Sequence, residues 1–214
     1  LHSRVNEEEL CDCRRLFHGL LAERTAGLSP ERAAIEINYW CAEQAAYQST
    51  DLRTASALAV YRSGCGRCGE ESVFTVNALR ALGIPARQVY VPRWSHCDDN
   101  HAWVEVWLGD GWHFLGACEP EELLDRGWFT NAAGRALLVH SRLFGGTGEE
   151  PEALYRAGAA VYLGHTERYA AVKPLTVLVR DRNGKPVEGA QASFSVLNFS
   201  EEAEIASMTT APDG

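Results

Sequence analysis

Apolar residues at Leu10, Cys13, Phe17, Leu20 and Leu21 recur at intervals of three and four. That spacing predicts a helix within residues 7–23, packed on one face. Ser29-Pro30-Glu31-Arg32 supplies an N-cap followed by proline at the first helical position. A second helix should therefore run through Ala33, Ile37, Trp40 and Cys41. Residues 48–61 are polar and alanine-rich, with Thr50-Asp51 as a turn or cap, and carry no decisive period. They lead into Ser63-Gly64-Cys65-Gly66-Arg67-Cys68-Gly69, whose three glycines favour irregular backbone and close approach. Val73, Val76, Leu79, Ala81 and Leu82 predict a further helix, ended by Gly83 and Ile84-Pro85. Cys68 thus falls at or just before the start of that helix.

The period then changes from helical to strand-like. Residues 87–91 and 102–108 read as strands, the second with Trp103, Glu105 and Trp107 alternating with Val104 and Val106. Asp110-Gly111 is a hairpin turn signal, and residues 112–117 form the next strand. Helices followed by antiparallel strands point to an α+β domain. From Pro174 the character shifts again: residues 175–179 alternate, Asp181-Arg182-Asn183-Gly184 marks a turn, and residues 191–197 form another strand. This stretch is similar to the opening of an immunoglobulin-like β-sandwich module, which needs about seven strands. The expectation is an α+β domain over residues 1–170 and a truncated β-sandwich over 171–214, in a protein that continues past Gly214.

Composition adds exclusions. The chain has 214 residues, 46% hydrophobic and 23% charged, the balance of a soluble globular protein. A net charge of −9 and the absence of a basic patch exclude nucleic acid as the expected partner. No apolar run reaches the ~18–20 residues of a membrane span. The chain begins at Leu1, so a signal peptide or anchor would not be visible. Its seven cysteines, at 11, 13, 41, 65, 68, 97 and 118, are odd in number and irregular in spacing, which implies at least one free thiol. Cys11-Asp12-Cys13 with a lone Cys41 does not supply the two spaced pairs of a structural zinc site. His96, Cys97, Asp98, Asp99 and His101 are dense enough to ligate a metal, yet such density in one hairpin describes a solvated loop. Cys65-x-x-Cys68 lacks the βαβ setting of a redox motif. Neither metal nor cofactor is expected.

A cysteine attacks as its thiolate, so a catalytic one needs a helix N-terminus, a histidine or both to favour that form. Cys68 has the first, and His101, opening a strand, is suited to act as its base. Four motifs in order strengthen the pairing: Gly66-Arg67-Cys68-Gly69-Glu70, Leu79-Arg80-Ala81-Leu82-Gly83-Ile84-Pro85-Ala86-Arg87, His101-Ala102-Trp103-Val104-Glu105-Val106-Trp107 and Gly111-Trp112. Together, over about residues 60–120, they resemble the core of the transglutaminase-like superfamily. The resemblance implies a papain-like fold, N-terminal helices packed on an antiparallel sheet, with a Cys-His-Asp triad. Cys68 and His101 carry over directly. The Asp expected four positions beyond Trp112 is Gly116, and Glu119, the nearest acid, is assigned as the third catalytic residue, orienting His101.

The chemistry so implied is acyl transfer at an amide of a protein or peptide substrate through a Cys68 thioester. Hydrolysis, as by a peptidase or amidase, is the first expectation. Transglutaminase activity is the alternative, and the missing Asp also admits an inactive binding or scaffolding module. Trp94, Trp103, Trp107, Trp112 and Trp128 are expected as core or cleft wall, with Trp94 or Trp40 as candidates to line an acyl-group pocket. The β-sandwich leans towards a cell-surface or exterior location, and oligomeric state has no sequence signal.

Overall fold

The computed structural model describes residues 3–50, 53–146 and 149–214. Asp51, read above as part of a turn or cap, lies outside them. The first helix, α1 (Arg14–Leu21), is shorter than its periodic pattern. Ahead of it, buried Glu8 accepts the N–H groups of Val5 (2.8 Å) and Asn6 (2.7 Å), closing a turn at the start of the predicted stretch. Leu10, before the helix, and Leu20, within it, are exposed. α2 (Pro30–Gln44) starts where its cap predicts, with Ser29 Oγ accepting Arg32 N–H. β1 (Ala46–Tyr47), α3 (Ala57–Ser63) and β2 (Cys65–Gly66) follow, β1 and β2 pairing in parallel. α3 ends on Gly64 in the left-handed region (φ +71), a conformation that glycine adopts without strain.

α4 (Cys68–Ala81) is the central helix, and residues 69–76 are all buried. A helix enclosed on nearly every side has no polar stripe, so only its second half shows a readable period. Against it lies a six-stranded antiparallel sheet of β3 (Ala86–Val91), β4 (His101–Trp107), β5 (Trp112–Leu115), β6 (His140–Phe144), β7 (Ala153–Ala157) and β8 (Ala160–Gly164), in the order β5-β4-β3-β6-β8-β7. A short helix, α5 (Thr130–Ala133), packs on the far side. One apolar core joins the helices to the sheet through Phe17, Ile37, Trp40, Phe74, Leu79 and Val104. A second, on the opposite face, joins Val89, Trp94, Trp103, Phe129 and Val139. β4 is buried on both faces, and strand alternation decides what each face receives: Val104 and Val106 turn towards the helices, while His101, Trp103 and Glu105 share the other side.

The fold class is thus α+β, with helices packed on an antiparallel sheet. The C-terminal stretch contributes one hairpin, β9 (Gln191–Asn198) and β10 (Glu201–Thr209). The strand expected at 175–179 does not form: Leu175, Val177 and Leu178 are exposed, and an isolated bridge, Arg180 to Pro186, marks the predicted turn. A strand needs a partner along its length, and this segment is paired at its end alone among the described residues, where Val179 N–H donates to Gly214 O (2.7 Å) and Val187 N–H donates to Val179 O (3.0 Å). No helix among the described residues is long and apolar enough to cross a membrane.

Candidate active site

Cys68 is the first residue of α4. Glu70 builds that terminus by accepting the N–H groups of Arg67 (3.0 Å) and Ala55 (2.9 Å) and the hydroxyl of Thr50 (2.6 Å). Buried Gln88, from β3, donates to Gly69 O (2.9 Å) and Ser72 Oγ (2.7 Å), so sheet and helix hold the first turn together. The backbone amides of Ala102, on β4, and Gly69, on its own helix, pull the thiol's pKa down. Burial nevertheless pushes its pKa up from the ordinary 9.0, against the pull of those two amides.

His101 precedes Ala102 and lines the same cavity as Cys68, a cleft of about 510 Å³. It is 5% exposed, and burial lowers its imidazole to about 4, opposed by the Asp99 charge. At neutral pH both groups are therefore uncharged. The buried Nε2 of His101 has no hydrogen-bond partner among the described residues. What fixes the ring is aromatic packing: Trp128 at 4.7 Å, Phe129 at 4.9 Å, Trp103 at 5.8 Å and Trp94 at 6.4 Å between centroids. Trp103 is locked in turn, its indole N–H bonded to Tyr169 Oη (3.0 Å), whose hydroxyl donates to buried Glu105 (2.6 Å).

Glu119 lines the cleft, with Oε2 accepting the indole N–H of Trp128 at 2.9 Å and no hydrogen bond to His101. Burial raises its pKa, partly offset by that indole. Glu71, one turn into α4 and 3% exposed, is pushed up to about 8 by burial and by the charges of Glu119 and Glu70. A cavity thus joins a thiol, an imidazole and a carboxyl group. Residues 20–117 match the family model of the transglutaminase-like superfamily.

This stretch is similar to a transglutaminase-like domain. No curated protein matches the chain. Among solved structures, similarity extends to a TGase, at 19% identity over 49% of this chain and 31% of that one with a TM-score of 0.40. A provisionally assigned protease from Parabacteroides distasonis ATCC 8503 gives 15% identity over 61% and 26%, TM-score 0.46. A provisionally assigned cysteine protease from Cytophaga hutchinsonii gives 17% over 72% and 57%, TM-score 0.42. The chain spans between 26% and 57% of the length of these structures.

Within this stretch, the position of the expected Asp explains itself sterically. A Cβ on Gly116 would lie 2.8 Å from Glu119 Oε2 and 2.9 Å from Glu119 Cβ, so the Glu119 side chain fills the space that a residue at 116 would need. The turn that aims Glu119 is clamped by buried Asn38 of α2, which donates to Gly116 O (2.7 Å) and accepts from Cys118 N (3.0 Å). Cys118 takes a left-handed backbone there (φ 55). Sequence patterns gave no sign of Asn38, since its partners stand 78 and 80 residues away.

The tryptophans correct an expectation. Trp40 is buried among Phe17, Tyr61 and Phe74 in the helical core, and Trp94 is 3% exposed under the loop before His101. Neither lines the cleft, because the helical core and the 94–99 loop enclose them; the tryptophan in the wall is Trp128, 64% exposed. In the 96–99 loop Asp98 accepts Phe199 N–H at 2.7 Å, and Asp99 O accepts Trp94 N–H at 2.9 Å. Cys65 Sγ lies 3.8 Å from Ser63 Oγ.

Proposed function

We propose that the cleft performs thiol-dependent acyl transfer on an amide bond, with Cys68 as nucleophile, His101 as general base and then acid, and Glu119 as the residue that holds the cleft wall against His101. The observation that carries this is the Cys68 thiol at the N-terminus of α4, sharing a cavity with the buried His101 imidazole. A neutral thiol and a neutral imidazole favour proton transfer during attack over a standing ion pair. Sγ bonds to the carbonyl carbon as His101 takes the thiol proton, and backbone N–H groups at the helix start receive the oxyanion, a contribution of roughly 3–4 kcal/mol in comparable sites. Collapse expels the amine, protonated by His101, and leaves a thioester. Water, activated by the same imidazole, then releases a carboxylic acid and restores the thiol.

Hydrolysis is preferred because water needs no acceptor site. A primary amine in its place would form a new amide, the transglutaminase outcome. A second reading, a binding module without turnover, is favoured by the unpartnered Nε2 of His101. An amide-substrate probe that reacts with thiols separates these. Labelling of Cys68 in the folded protein, lost on His101→Ala, is expected. A folded protein whose Cys68 stays unlabelled while other thiols react would sink the enzyme reading. Product analysis with and without a primary amine then distinguishes hydrolysis from transfer.

A further inference from the structure

Large aromatic side chains edge the cleft beside Cys68. Tyr47 and Trp128 both line it, 68% and 64% exposed. Glu119 Oε2 accepts the Trp128 indole N–H (2.9 Å), which leaves Oε1 without a hydrogen bond among the described residues. The bases of the cleft are engaged elsewhere: Arg142 is ion-paired with Glu7 (2.8 Å), and Arg67 donates to Thr50 Oγ1 (3.2 Å) and Arg53 O (3.1 Å). Asp99 and Glu119, acids of the same cleft, have no ion pair among the described residues.

Glu71 joins them. It stands one turn beyond Cys68, a spacing that keeps both on one face of α4. It is 3% exposed and has neither a hydrogen bond nor an ion pair among the described residues. Its charge acts on Glu119, on the Cys68 thiol and on Tyr47, so the group lies beside the cleft. A buried carboxyl without a partner is costly, and in a folded protein it calls for a ligand or a task. A cation meets each of these observations. Carboxylates pair with it, and an exposed indole face attracts it. Anionic groups would meet the same acids with repulsion. The acids also oppose the nucleophile, because Glu71 and Asp99 favour the neutral thiol. A cation that cancels their charge therefore eases thiolate formation as substrate arrives.

We propose, resting on the acyl-transfer reading, that Trp128, Glu119 and Glu71 form a subsite for a cationic side chain of the acyl donor. The substrates are then polypeptides with lysine or arginine beside the amide that Cys68 attacks. The ammonium or guanidinium packs on the exposed Trp128 ring and pairs with Glu119 and Glu71.

The test uses the whole chain with Cys68→Ala, which removes turnover, immobilised and equilibrated with a random library of end-blocked hexapeptide amides. Retained members are identified by mass spectrometry. Hexapeptides with one lysine or one arginine are expected to be retained at least tenfold over uncharged ones. The preference should persist in molar salt, which screens general attraction to an acidic chain far more than a partly buried pair. Glu71→Gln and Trp128→Leu should each bring it below twofold. In the Cys68-containing protein, amides beside lysine or arginine should be turned over with kcat/KM at least tenfold above those beside glutamine. No preference for basic peptides, or one lost in molar salt, overturns the proposal. So does an undiminished preference in both variants with the near-ultraviolet circular dichroism of the parent. A preference confined to lysine also overturns it, since guanidinium is no primary-amine acceptor and the acids would then serve an acceptor amine. If no amide is turned over, the acyl-transfer reading fails, while the Cys68→Ala binding measurement still decides the subsite.

Discussion

The charge state of the resting thiol is open to direct test. Burial holds the Cys68 pKa above 9.0 and His101 near 4, so no thiolate–imidazolium pair stands between pH 4 and 9. At pH 7 a thiol of pKa above 9.0 is less than about 1% ionised, and forming its thiolate costs at least about 2.7 kcal/mol, two units at 1.36 kcal/mol each. That cost is already net of the amides of Ala102 and Gly69, which lower the pKa without offsetting burial. Alkylation by iodoacetamide, measured from pH 4 to 10 by mass spectrometry of the Cys68 peptide, should climb along a single ionisation above pH 9. His101→Ala should leave that profile in place. A plateau of fast alkylation between pH 5 and 8 that disappears in His101→Ala would show a standing ion pair and refute the account.

Gly116→Ala brings a methyl group within 2.9 Å of Glu119, and overpacking of this kind costs ~1–3 kcal/mol; Glu119→Ala in the same chain should recover most of it, measured by urea unfolding. Asn38→Leu leaves the Cys118 N–H without its acceptor and the Gly116 carbonyl with the Glu119 N–H alone (3.3 Å), at ~1–3 kcal/mol for a polar group left unpaired, visible as a lowered Tm. His101, His140 and His165 are buried and depressed to about 4, 3 and 3, so the stability they contribute is complete above pH ~6.5 and is lost as pH falls towards those values. Glu71, raised to about 8, runs the other way, gaining from about pH 8 down to about 4.5. Each group shifts the slope by up to ~1.4 kcal/mol per pH unit, so urea unfolding should show maximal stability near pH 6.5 and a net loss of up to ~3 kcal/mol per unit below it. A flat profile from pH 7 to 5 would contradict this.

Some of the molecule was legible in the chain because its causes are local. Ser29-Pro30 starts α2, Gly83 with Pro85 stops α4, and the alternation from His101 to Trp107 is a strand whose faces separate by period two alone. The order of four motifs placed Cys68 at a helix start and His101 at a strand start, where both stand. The helical period from Leu10 misled: the Glu8 carboxylate closes a turn on the amides of Val5 and Asn6, and α1 begins at Arg14. Residues 120–170 carry no period that announces β6, β7 and β8, because those strands exist through pairing with one another and with β3. The surroundings of His101 were decided only by tertiary structure. Trp128 reaches the imidazole from 27 positions along the chain, Glu119 grips that indole, and Asn38 sets the turn from another helix. Sequence names residues that obey nearby neighbours; contacts across such separations depend on the fold bringing the partners together, and no local pattern records them.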